Sequence, residues 1–322
     1  MRTVSDERAM LRATVAALVA KHAPSAMVRA AITTPRGYDE QLWRLLCDQV
    51  GAAALVVPEE YGGVGGALGD AAVVLEELAK NLVPTPLLGT TLAELALLMS
   101  ADPDPDALAR LVQGTSIGAV VLDPEYVLNG DVADVVVAAP EGGLSRWLSY
   151  DVQPLRTMDP TRRLARLTPR DTATISLDDA PAAAAKIGQA AAILLAAEQI
   201  GAATRCLELT VNYTKQRVQF GRPIGSFQAL KHRMADLYAA VQVARAVVND
   251  AIAEPSASSA ALARLAASET LNQVAAEGIQ LHGGIAITWE HDMHLYFKRA
   301  HGSSQLLGTA QECLRQLEAE VL

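Results

Sequence analysis

Aromatic side chains make up only 4% of the 322 residues, although 51% of the chain is hydrophobic. A core with so few rings has to be aliphatic and rich in alanine, the residue with the best intrinsic helix propensity and one that lets helix axes approach closely. Cysteine is scarce as well. Cys47, Cys206 and Cys313 are far apart, odd in number and form no CxxC pair. That argues against a disulfide framework or a zinc site and for buried thiols in a reducing, cytoplasmic compartment. Positive charge is in deficit: 27 Lys and Arg against 36 Asp and Glu leave a net charge of −9, without the basic footprint that nucleic acid requires. Long hydrophobic runs are also missing. "TVAALVA" ends at Lys21-His22, no signal-peptide pattern opens the chain, and nothing reaches the ~18 to 20 consecutive apolar residues of a membrane span.

What is there falls into three segments, 1–112, 113–183 and 184–322. The first reads as helices. Ser5 or Asp6 caps one that runs to "KHAP". "YDEQLWRLLCDQVG" places Leu42, Leu45, Leu46 and Val50 on one stripe, with Gly51 where a helix stops. "VVPEEYGGVGG" is a glycine-rich loop, and "ALGDAAVVLEELAKNLVP" resumes helix until Pro84 and Pro86. The second segment is a small β unit. "SIGAVVLD", "DVVVAAP", "RWLSYDV" and "TATISLDD" are short, β-branched or alternating, and separated by turn residues. The third is helical again. Phe227, Leu230, Met234, Leu237, Val241, Ala244 and Val248 recur at steps of three and four, the apolar stripe of a long bundle helix. Ile187–Arg217, Ser259–Leu281 and Ser304–Leu322 supply three more helices, for a four-helix bundle whose stripes imply oligomer contacts.

Two stretches of this last segment bear on chemistry: "KQRVQFGRPIGSFQALKHRMADL" and "QLHGGIAITWEHDMHLYFKRA". Arg217 and Phe220 flank an exposed turn. A planar guanidinium suits bidentate contact with phosphate, and an aromatic ring suits packing on a nucleobase. Gly283 and Gly284, after Gln280, let backbone approach a ligand with no Cβ between them. Taken singly, such features more often mark a surface ion pair or a helix C-cap. Together, and with "ALVVPEEYGGVGGALGDAAVVLEELAKNLVPTPLL" in the first segment, they closely resemble the acyl-CoA dehydrogenase family over nearly the whole chain.

The resemblance implies that family's fold: an N-terminal helical domain, a middle β domain, here reduced, and a C-terminal four-helix bundle. It also implies FAD-dependent α,β-dehydrogenation of an acyl-CoA thioester, with electrons passed to an electron-transfer flavoprotein. By position, Arg217, Gln219, Phe220, Gln280, Gly283 and Gly284, with Gln228 as a lesser candidate, match the residues that hold the pyrophosphate and adenine of a neighbouring subunit's FAD.

The family's proton acceptor is missing. The α-proton of a thioester is a poor acid and needs a positioned general base. Its usual place, just before Gly-Thr, is here Leu307 in "QLLGTAQ", and its alternative place on the first long bundle helix falls at Ala191. The family's "TEPxxGSD"-like loop and its "WIT" or "WIS" segment, which hold the flavin ring, are absent. Trp147 follows Ala133-Asp134 rather than preceding it, so it reads as a sheet core residue. This pattern resembles the incomplete subunit of heteromeric bacterial steroid side-chain acyl-CoA dehydrogenases. It implies a longer homologous partner carrying the base, a shared FAD and steroid CoA esters as substrates of the complex.

Other readings start from other residues. Glu198, Asp236, Glu269 or Glu290 would serve as a displaced base in a self-sufficient enzyme, although such carboxylates are more often solvated or ion-paired. A cofactor-free scaffold is a further alternative, disfavoured by the retained motifs. His291 and His294, with Asp292 and His301 nearby, offer a helical histidine pair for a metal, but the packing reading of this segment outweighs it. His282 reads as a helix-end hydrogen-bonding residue rather than an acid or base.

Overall fold

The computed structural model describes residues 4–140, 143–177 and 179–321. Its N-terminal part is helical. α1 (Val4–His22) begins upstream of the expected cap, so Ser5 and Asp6 stand in its first turn, where the acidic side chain suits the helix dipole. α2 (Ser25–Ile32) follows directly. α3 (Glu40–Leu45) is capped by the Asp39 carboxylate, which accepts from the Gln41 and Leu42 N–H groups. It widens into a π turn at Leu46–Val50 and stops at Gly51, whose φ of 67° lies in the left-handed region. α4 (Leu68–Lys80), α5 (Leu87–Leu97) and α6 (Pro105–Val112) complete this part. α5 is buried on nearly every side, which leaves no periodic stripe by which the sequence could announce it.

A five-stranded sheet stands between α6 and the C-terminal helices, in the order β1-β3-β4-β5-β2. β1 (Gly118–Val121) pairs in parallel with β3 (Val135–Ala138); their β-branched runs are buried throughout. β2 (Val127–Leu128) pairs antiparallel with β5. β4 (Ser145–Leu155) and β5 (Leu164–Thr174) form a long antiparallel ribbon whose far end is exposed. This corrects the expected strand "TATISLDD": only Thr172–Thr174 belong to β5, which begins at Leu164. Arg166, Arg170 and Asp171 on its solvated face hid the strand from a search for apolar alternation. Trp147 is buried on β4 in the sheet's own core.

α7 (Ala180–Gln216), α8 (Gln228–Ala253) and α9 (Ala257–His282) form the C-terminal bundle. The expected stripe of α8 holds from Met234 onward, with Leu237, Val241, Ala244 and Val248 buried and Ala251 extending it, whereas Phe227 precedes the helix as its N-cap and it and Leu230 are only half-buried. By length and composition α7 would pass for a membrane span, contrary to the sequence expectation, but 78% of its apolar window is buried inside the protein. The last expected helix divides. α10 (Met293–Ser304) ends before Leu307, and α11 (Ala310–Val321) begins after Gly308. The buried Arg264 guanidinium explains the break: its Nη2 donates to the carbonyls of Ser303 and Leu306, and a cation on terminal carbonyls ends a helix favourably.

Candidate functional site

α7 and α9 lie side by side and run in the same direction. Arg264 Nη1 donates to Gln199 Oε1 at 3.1 Å, Cys206 Sγ approaches the Val274 carbonyl at 3.8 Å, and the Tyr213 and His282 rings stack at 4.3 Å. The residue numbers rise together on both helices. Both helices therefore finish at the same end of the bundle, and the two motifs separated by α8 in sequence emerge there together.

After α7, β6 (Val218–Gln219) and β7 (Arg222–Pro223) form a small hairpin. Its two turn residues are Phe220 and Gly221, at φ 54° and 76°, a primed turn that suits strand twist. Phe220 thus forms the turn rather than flanking it. A bulky residue at positive φ is a true outlier, and this one holds its ring 89% exposed. Arg217 is exposed at the end of α7 and makes no ion pair among the described residues. Gln219 and Gln280 are exposed too, and Gln228 lies 3.4 Å from His232. Gly283, at φ 67°, takes a conformation favouring glycine, and a Cβ built on Gly283 or Gly284 would meet nothing within 4 Å. Two open backbones, an unengaged guanidinium and an exposed ring that touches Phe227 only edge-on fit an anionic dinucleotide approaching from outside the chain.

A three-ring stack joins the two halves of this surface. Tyr213, whose carbonyl accepts from the Arg217 N–H, stacks on His282, and His282 lies 4.6 Å from the His291 ring. His282 Nδ1 is 2.7 Å from the Gly278 carbonyl, the helix-end bond expected of it. Burial holds its pKa below the ordinary histidine value. His291 accepts from the Met293 N–H, and His294 packs edge-on against Trp289. Among the described residues no group of three or more His, Cys, Asp or Glu is placed to hold a metal.

Neither position of the expected base carries a proton acceptor. Leu307 occupies a turn at φ 52° with its side chain against the main core, and Ala191 is fully buried on α7. Asp236, Glu269 and Glu290 are exposed. Glu198 is buried, but both Arg162 and Arg299 hold it. Arg299 also binds Asp159 Oδ2 at 2.7 Å and Thr161 Oγ1 at 2.6 Å. Burial pulls the Arg299 pKa down, yet its two carboxylates outweigh that and leave it raised. This cluster ties the β4–β5 loop, α7 and α10 together, and the cavity beside it measures about 30 Å³. The Glu198 carboxylate is thus engaged by two guanidiniums of this structural joint.

Sequence reasoning overlooked Glu94. It is fully buried on α5 with both carboxylate oxygens unpartnered among the described residues, and burial raises its pKa well above the ordinary value. The available signal was a single acid inside the apolar run "TTLAELALL".

Known proteins match this chain in sequence and in fold. Residues 5–103 match the family model described as the acyl-CoA dehydrogenase N-terminal domain, and residues 183–322 match the acyl-CoA dehydrogenase C-terminal domain. The chain is 67% identical to acyl-CoA dehydrogenase IpdE2 of Mycobacterium tuberculosis, over 99% of this chain and 98% of that protein. It is 63% identical to IpdE2 of Mycolicibacterium smegmatis, over 99% of this chain and all (100%) of that one. Among solved structures it superposes on a variant of the Tcur3481-Tcur3483 steroid ACAD with a TM-score of 0.88 at 28% identity, covering 99% and 98% of the two chains. Butyryl-CoA dehydrogenase from Megasphaera elsdenii shares the fold, with a TM-score of 0.87 at 21% identity over 100% and 99%.

Proposed function

The chain belongs to the acyl-CoA dehydrogenase family, and from that premise we propose that it is the non-catalytic subunit of a heteromeric acyl-CoA dehydrogenase. FAD bound at the subunit junction supplies the two-electron oxidant for α,β-dehydrogenation of an acyl-CoA thioester. This chain contributes the grip on the dinucleotide end. Arg217 would hold the pyrophosphate with its bidentate fork, the Phe220 ring would pack on the adenine, and Gln219, Gln280, Gly283 and Gly284 would complete the seat, with Gln228 at its margin. A longer homologous partner supplies the base, the flavin-ring loops and the acyl pocket, and an electron-transfer flavoprotein takes the electrons. The solved relative described as a steroid ACAD, named for two components, supports a heteromer and a steroid CoA ester as substrate. The complex is placed in the cytoplasm.

One observation carries this reading: a phenylalanine held at φ 54° and 89% exposed, a conformation that costs energy while its ring meets the Phe227 ring only edge-on, at 6.1 Å. The test is co-expression with a longer homologous subunit that carries a carboxylate base. The complex should purify with flavin and oxidise acyl-CoA, whereas this chain alone should do neither. Arg217→Ala should weaken FAD binding by roughly tenfold to a hundredfold, the size of a lost charge-assisted contact. Unchanged flavin affinity in that variant would remove Arg217 from the site.

A further inference from the structure

The side chain of Arg162 is 8% exposed, with Nη2 bonded to Glu198. Its Nη1 is buried and has no hydrogen-bond partner among the described residues. Arg162 also lines the cavity of about 30 Å³ enclosed by α4, the segment after it, β2 and the β4–β5 loop. One wall is apolar: Leu75, Leu78, Val83 and Leu128. The other carries Arg162, Arg163, Arg299, Thr161, Thr85 and Asn129 together with the Glu198 carboxylate that Arg162 and Arg299 hold, and no hydrogen bond among the described residues engages the Asn129 side-chain amide.

The charges around it do not balance. Three buried guanidiniums, Arg162, Arg264 and Arg299, face two buried carboxylates, Glu198 and Asp159, leaving one positive charge in excess. The neighbouring Arg163–Asp131 pair is neutral and does not alter the sum. Arg264 bonds only to the Gln199 amide and two carbonyls, and its Nε is likewise unpartnered. An unmatched cation away from water is costly, and the usual remedy is a counter-charge.

We propose that this cavity binds a small monovalent anion, of the class of formate, with its charged end on Arg162 Nη1 and Asn129. A water-sized occupant takes ~10 to 15 Å³ by the same measure, so the space admits two or three heavy atoms and excludes acetate and sulfate. Formate fits that limit, with its C–H toward Leu75 and Leu78. The site is separate from the exposed Arg217 surface and stands whether or not that surface holds FAD. Its occupant completes the charge balance of the cluster that joins the sheet to the bundle.

The experiment is thermal unfolding of the purified full chain in sodium formate against sodium sulfate at matched ionic strength, with crystals grown in bromide. Formate should raise the midpoint by a few degrees in a saturable way, sulfate should not, and bromide should give an anomalous peak at Arg162. Ala79→Leu, which fills the cavity and leaves every ion pair in place, should abolish the formate increment. If that variant does not fold, Arg162→Gln takes its place, and the bromide crystals of the unaltered chain decide independently. Equal effects of formate and sulfate, an increment surviving in the filled variant, or no anomalous peak at Arg162 would each overturn the proposal.

Discussion

At Leu307 a branched side chain holds a left-handed backbone, a conformation that costs roughly 1–2 kcal/mol without glycine's freedom. Its side chain packs against the main core. Leu307→Glu should therefore place a carboxylate there without creating an enzyme, because Arg162, Glu198 and Arg299 close the cavity among the three segments. A dye-coupled assay of the isolated variant over a panel of acyl-CoA esters should show no turnover, and measurable dehydrogenation would refute the closed interior. Glu94 offers a second test. Its folded pKa lies above the ordinary carboxylate value of 4.5. The stability it contributes is thus fully present below that value and is lost as pH rises toward the folded one. Glu94→Leu should stabilise the chain by about 1–3 kcal/mol at pH ~8 and by less at pH ~5. Denaturant midpoints of both proteins at the two pH values would show it, and an equal gain at both would contradict the assignment.

Among the elements, the parallel pair α7 and α9 brings Arg217–Phe220 beside Gln280–Gly284, and the Tyr213–His282–His291 stack sets their spacing. Tyr213→Leu removes a stacked aromatic contact of about 0.5–1.5 kcal/mol. The FAD affinity of the complex should fall several-fold while the Arg217 guanidinium remains present. Isothermal titration with FAD would measure this, and unaltered affinity would confine the stack to a packing role. Some of this was readable beforehand. The motifs themselves and the stripe of α8 are local patterns, as are the β-branched runs of β1 and β3. α5 was not readable, because a helix buried all round has no period, and β5 was not, because its charges face solvent.

For the molecule as a whole, the Asp159–Thr161–Arg162–Glu198–Arg299 cluster is the joint between sheet and bundle. Its members lie up to 140 residues apart in the chain. Removing one partner of a buried ion pair strands the others, at about 3–5 kcal/mol. Arg299→Leu should lower stability by that amount and loosen the sheet first. Hydrogen exchange should quicken across β1 to β5 while α7 and α9 keep their protection, whereas uniform loss would mean the cluster is no joint. What the sequence determined alone was the order of helical, β and helical segments, the family motifs and the absence of a base at Leu307 and Ala191. Of the last, residue identity gives only that Leu307 and Ala191 stand at those positions; the rest follows from residue identity and near-neighbour periodicity. Tertiary structure decided that Glu198 is occupied, that Arg264 splits the last helix and that two distant motifs share one end of the bundle. Those outcomes depend on which buried charges meet, and Coulomb and desolvation energies are set by separations in space that spacing along a chain does not encode.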